Sequence, residues 1–84
     1  RKAAVVDGVA ELVADRYPAS AVDRLDGVRV ETDAGWFLVR ASGTQPLVRV
    51  TAEARDADEA DALLATATGL VERAQATATE RDAS

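Results

Sequence analysis

Residues 48–55 carry the strictest pattern in the chain: Val48, Val50, Ala52 and Ala54 interleave with Arg49, Thr51, Glu53 and Arg55. Successive side chains of a strand point to opposite faces, so this segment reads as a β-strand with one apolar and one polar face. A lone strand is not stable, and the residues before it supply the partner. Trp36, Leu38 and Arg40 alternate with Phe37, Val39 and Ala41. Both faces of that strand are largely apolar, which suits a central strand or one touching something beyond these residues. Further upstream, Val28, Val30 and Thr32 alternate with Arg29 and Glu31, a strand with one buried face. Residues 20–25 make a weaker strand candidate. Asp26 with Gly27, and Asp33 with Ala34 and Gly35, supply the turns between them.

The ends of the chain change period. Val5, Val6, Val9, Leu12 and Val13 recur at helical spacing within residues 3–16, and Pro18 disfavours helical geometry at Tyr17. Gly8 weakens that helix, so its stability must come from packing. Tyr17 reads as a core or edge aromatic rather than a ligand contact. At the other end, Asp56 reads as an N-cap with Glu59 as its capping-box partner. Behind it Ala60, Leu63, Leu64, Ala67, Leu70, Val71 and Ala74 form a second stripe. Residues 75–84 lack large apolar side chains and are expected to fray. The order is helix, four strands, helix. It predicts an α+β domain of two layers, a four-stranded antiparallel sheet covered by an N-terminal and a C-terminal helix.

Composition narrows the chemistry. Eighty-four residues make a single domain, and a chain of that size buries only about 60–65% of its unfolded surface, leaving a thin core. Cys and His are both absent, which excludes disulfides, thiol chemistry, the usual zinc sites and imidazole catalysis. No apolar run is long enough for a membrane span and no signal peptide is visible, so a cytoplasmic protein without membrane attachment is expected. The net charge of −5 argues against a duplex nucleic-acid partner. Lys2 is the only lysine, against nine arginines. Salt adaptation and a GC-rich genome both produce that bias. The first residue is Arg1 rather than Met, so residues 1–84 are expected to be an excised or processed fragment.

One constellation stands above this background. Arg40, Ser42, Gly43, Thr44 and Pro46 fall between the two best strands. Backbone N–H groups of a tight glycine turn can converge on an anion, hydroxyls add donors, and a guanidinium matches phosphate oxygens in a planar fork. Arg49, near the start of the next strand, adds a second guanidinium. An ordinary turn, and an ordinary solvated charge at Arg49, use the same residues. The acidic residues Asp56, Asp58, Glu59 and Asp61 lack the spacing of a calcium loop and are read as capping. Glu31 and Glu53 have nothing in the sequence to bring them together as acid and base. Trp36 and Phe37, on so acidic a chain, make a poor base-stacking platform.

Read through to Val50, the chain resembles the C-terminal domain of the α-D-phosphohexomutase family: phosphomannomutases, phosphoglucomutases and phosphoglucosamine mutases. The resemblance rests on Asp26, Gly27, Val28, Arg29 and Val30, on Gly35 through Trp36, Phe37, Leu38 and Val39 to Arg40, and on Ser42, Gly43 and Thr44. Pro46, Leu47, Val48, Arg49 and Val50 complete it. The family's loop reads Arg-x-Ser-Gly-Thr-Glu-Pro, and Gln45 stands here in place of the Glu, removing a carboxylate and any ion pair that would position the loop.

The resemblance implies a four-domain enzyme that moves a phosphoryl group between the 1 and 6 positions of a hexose phosphate. A phosphoserine and a Mg²⁺ site lie in its earlier domains, and a sugar-reading loop in the third. The fourth domain closes over the cleft and grips the phosphate that is not being transferred. On that basis Arg40, Ser42, Gly43, Thr44 and Arg49 bind phosphate, and no catalytic or metal-binding residue is expected within residues 1–84. The fragment alone is expected to be inactive, with a hexose phosphate and the other domains of its polypeptide as partners. A phosphomannomutase or phosphoglucomutase is the leading expectation. A phosphoglucosamine mutase and a non-enzymatic α+β interaction module are the alternatives.

Overall fold

The computed structural model describes the backbone of residues 2–25, 27–41 and 48–83, with side chains over residues 4–25, 27–41 and 48–77. Helix α1 (Lys2–Arg16) leads through a 3-10 turn (Ala19–Ala21) into strands β1 (Val22–Asp23), β2 (Val28–Glu31), β3 (Gly35–Ala41) and β4 (Val48–Ala54), and helix α2 (Ala57–Ala83) follows. The strands lie side by side in chain order with every neighbour antiparallel. This is the expected α+β meander with two helices.

Helix α1 stops where the sequence says it must. Its last turn closes with the Tyr17 N–H donating to the Val13 carbonyl at 2.9 Å, and Pro18 is extended at φ −67°, ψ 150°. Helix α2 starts on Asp56, whose Oδ1 accepts the Glu59 N–H at 2.8 Å. The capping box is only half formed, because the Glu59 carboxylate accepts from Arg55 at 3.3 Å instead of returning to the Asp56 N–H.

A single core lies between the helices and one sheet face. Val5, Val6, Val9 and Val13 of α1 meet Val28 and Val30 of β2 and Phe37 and Val39 of β3. From α2 come Leu63, Ala67, Leu70, Val71 and Ala74. Full burial of a Val, Leu or Phe side chain is worth about 1.5–3 kcal/mol, so the eleven larger of these positions hold the fold, with Ala67 and Ala74 filling between them. Tyr17 closes one edge, its ring meeting Phe37 edge-on with centroids 6.1 Å apart. The two helices touch where Gly8 faces Ala74. A β-carbon at Gly8 would stand only 3.1 Å from that of Ala74. The glycine that weakens α1 locally thus sets the distance between the helices.

Four expectations need correction. Residues 20–25 form a strand only at Val22–Asp23, because a 3-10 turn consumes Ala19–Ala21 and the Asp23 carboxylate accepts the Leu25 N–H at 2.8 Å, which starts a turn. Thr32 is not a strand residue: its hydroxyl accepts the N–H groups of Ala34 and Gly35, both at 3.2 Å, and builds the β2–β3 turn. Leu64 lies 41% exposed beside the apolar stripe, since helical periodicity places it off the centre of the buried face. Finally, α2 stays helical to Ala83 rather than fraying after Ala74. Its last residues hold neither Gly nor Pro and are rich in alanine, so nothing local ends the helix.

Among the described residues, no helix is long and apolar enough to cross a membrane. The second sheet face carries no covering layer in the described residues. It displays Arg29 and Glu31 of β2, Trp36, Leu38 and Arg40 of β3, and Arg49, Thr51 and Glu53 of β4.

Candidate functional site

The β3–β4 ladder runs unbroken from the pair Gly35↔Ala54 to the pair Ala41↔Val48. Arg40 therefore belongs to a strand, one pair short of the connection formed by residues 42–47, and its direct cross-strand partner is Arg49. Alternation decides which way both point. Phe37, Val39 and Ala41 turn toward the helices, as do Val48 and Val50, so Arg40 and Arg49 emerge together on the open face, and both are exposed. Directly opposed residues have β-carbons about 4.5–5.5 Å apart, close enough for two guanidinium groups to take hold of one small anion. Ser42, Gly43 and Thr44, with Gln45, Pro46 and Leu47, lie outside the described residues.

Like charges directly opposed across a ladder are destabilising. The ion pairs among the described residues join Arg24 to Asp7 (3.4 Å), Arg29 to Glu31 (3.0 Å) and Arg55 to Glu59 (3.3 Å), and neither Arg40 nor Arg49 takes part in one. In a chain of net charge −5, this places two positive groups side by side on the rim of the sheet. A phosphate with close to two negative charges turns that repulsion into two attractive contacts.

The face is polarised along the strands. Next to the arginine pair comes the neutral pair Leu38 and Thr51, and then a row in which Trp36 lies between Glu31 and Glu53. The Arg29 guanidinium sits 4.9 Å from the centre of the Trp36 ring while binding Glu31, so its charge is already shared. A shallow depression of about 370 Å³ opens at this far end, lined by Glu31, Asp33, Trp36, Glu53 and Arg55 among others. Three carboxylates make it a poor place for an anion. Glu31 and Glu53 flank Trp36 two strand spacings apart, and Glu31 is held by Arg29, so they do not converge on a common point. Among the described residues no group of three or more His, Cys, Asp or Glu side chains is placed to hold a metal ion.

The register also brings a turn glycine against the strand that carries Arg40. Gly27, read only as a turn former, leads into β2 beside Arg40 and has φ +113°, a backbone conformation glycine adopts readily. Its position before an alternating strand signalled the turn. Only the register brought it against Arg40.

Comparison with known proteins matches residues 1–69 to the family described as phosphoglucomutase/phosphomannomutase, C-terminal domain. A protein of Methanocella arvoryzae named probable phosphoglucosamine mutase is 50% identical over 54 residues, which is 64% of this chain and 12% of the relative. One of Pyrococcus abyssi with the same name is 36% identical over 73 residues, 87% of this chain and 16% of the relative. A Thermococcus kodakarensis protein named phosphoglucomutase/phosphomannomutase is 39% identical over 71 residues, 84% of this chain and 15% of the relative. The chain spans between 12% and 16% of the length of these relatives.

Proposed function

The chain belongs to the phosphoglucomutase/phosphomannomutase C-terminal domain family, and on that premise we propose that it is the phosphate-gripping fourth domain of a cytoplasmic hexose-phosphate mutase. The observation that carries the reading is Arg40 set directly opposite Arg49 on an open, exposed face beside residues 42–47. The two guanidiniums hold the phosphate that stays on the sugar, and Ser42, Gly43 and Thr44 add backbone and hydroxyl donors. The phosphoserine, the Mg²⁺ ion and the sugar-reading loop belong to other domains of the same polypeptide. This domain contributes binding and orientation, and by closing it keeps water from the reacting phosphoryl group. A hexose bisphosphate intermediate turns end for end between half-reactions, so the grip accepts either phosphate. An anion site reading only phosphate oxygens meets that need.

The substrate sugar is read elsewhere in the enzyme. The names of the relatives support comparing glucosamine, mannose and glucose phosphates as substrates. Activity of the full-length enzyme on the three sugars decides among them. The test of the grip itself is Arg40→Ala and Arg49→Ala in that enzyme. A grip held in ground and transition states alike gives a raised KM, about tenfold or more, with a smaller change in kcat. KM unchanged in both variants overturns the reading.

A further inference from the structure

The sheet ends differently on its two sides. Strand order puts β1 at one edge and β4 at the other. β1 is two residues long, whereas β4 runs seven residues, from Val48 to Ala54, with neither Gly nor Pro. Its ladder with β3 is continuous, pair for pair, so no bulge turns the edge aside. Among the described residues no strand lies beyond β4. Such an edge leaves a row of backbone N–H and C=O groups ready for another strand, which short strands, prolines and bulges ordinarily prevent.

The side chains of β4 select the strand that fits. On the open face Arg49, Thr51 and Glu53 are all exposed, and Thr51 stands midway between opposite charges. Two copies of β4 laid edge to edge, antiparallel, about a two-fold axis at Thr51 set Arg49 of each opposite Glu53 of the other. On the helix side the same register opposes Val50 to Ala52 and Val48 to Ala54, all partly buried in the single chain. Neighbouring registers that keep the faces matched do worse. Centring on Ala52 opposes Glu53 to Thr51 and brings Arg49 toward Arg55. Centring on Val50 opposes Arg49 to Thr51 and leaves Glu53 facing no residue of the strand. Opposite charges directly across a ladder stabilise it and like charges destabilise it, so charge picks the register centred on Thr51.

We propose that the β4 edge is an interface between two copies of this chain, joining their sheets into one about a two-fold axis at Thr51. A two-fold interface makes every contact twice and must be self-complementary, and the order guanidinium, hydroxyl, carboxylate along one face meets that condition with a single strand. The proposal goes beyond the phosphate grip and does not rest on it. The Arg49 guanidinium has five N–H donors, enough for Glu53 of the second copy as well as for an anion shared with Arg40.

The test is sedimentation equilibrium of the chain at micromolar to millimolar concentrations, in buffer free of phosphate. A seven-residue edge is a small interface, so a reversible dimer toward the upper end of that range is expected. A monomer throughout overturns the proposal. Arg49→Glu and Glu53→Arg each set like charges opposite one another twice along the seam, and each is expected to weaken association about tenfold or more. Mixed together, the two variants regain the lost attraction, because the carboxylates of one face the guanidiniums of the other. The mixture is expected to form a one-to-one heterodimer about as tightly as the parent pairs with itself. Association unchanged in either single variant overturns the proposal, and so does a mixture that stays monomeric. Where a variant fails to fold, isotope-filtered nuclear Overhauser contacts in an equal mixture of labelled and unlabelled parent chain decide. Contacts between copies from Arg49 to Glu53 and from Thr51 to Thr51 are expected, and contacts confined to other surfaces overturn the proposal.

Discussion

Arg40 and Arg49 are direct cross-strand partners, the last such pair but one before the β3–β4 connection. Two like charges in that position work against the sheet that carries them. Arg49→Gln is therefore expected to stabilise the ligand-free chain by about 0.2–1 kcal/mol, and to weaken phosphate binding at the same time. Thermal unfolding with and without phosphate checks both signs. A fall in the ligand-free Tm contradicts the opposed-charge account.

Two helical glycines give opposite predictions. Gly8→Val pushes a branched side chain into the contact with Ala74, and overpacking of this kind costs about 1–3 kcal/mol. At Gly69 an added β-carbon meets nothing within 4 Å, so Gly69→Ala gains helix propensity alone, about 0.8–1 kcal/mol of added stability. Urea midpoints of the two variants are expected to move in opposite directions from the parent. Movement in the same direction breaks the helix-contact argument.

Core truncations are expected to rank by burial rather than by side-chain type. Leu70 is 1% exposed, and Leu70→Ala is expected to cost about 2–5 kcal/mol. Val50, on edge strand β4, is only partly buried, so Val50→Ala is expected to cost less than Val39→Ala at a fully buried site. Chemical denaturation of the three variants reads the order directly.

The start of α2 is capped by one side-chain hydrogen bond, from the Glu59 N–H to the Asp56 carboxylate. Asp56→Ala is expected to cost about 1 kcal/mol, within the range for a lost N-cap. Because the Glu59 carboxylate faces Arg55 rather than completing the box, Glu59→Gln is expected to cost far less. Equal losses in the two variants point to a fully formed box and contradict the geometry.

Local pattern carried most of the fold. Alternation in residues 48–55 and 36–41 told which side chains share a face, and the ladder agrees with that division at every described position from Gly35 to Ala54. Pro18 and Asp56 marked helix ends through restrictions that act over one turn, which is why they were legible. Thr32 was misread for the same reason the rest succeeded. An alternating β-branched residue looks like a strand until its hydroxyl finds the N–H groups of a turn.

The site divided differently. By itself the sequence determined which residue types stand near one another along the chain, a guanidinium ahead of a Ser-Gly-Thr run and a second guanidinium just beyond it, because these are neighbours through covalent connection. Only the tertiary structure decided that Arg40 faces Arg49 directly, that Gly27 flanks the pair, and that the acidic residues collect at the opposite end of the face. Register sets those relations, and a shift of one residue would have sent the two arginines to different faces. What selects the register is the burial of Val28, Val30, Phe37 and Val39 against two helices drawn from the far ends of the chain.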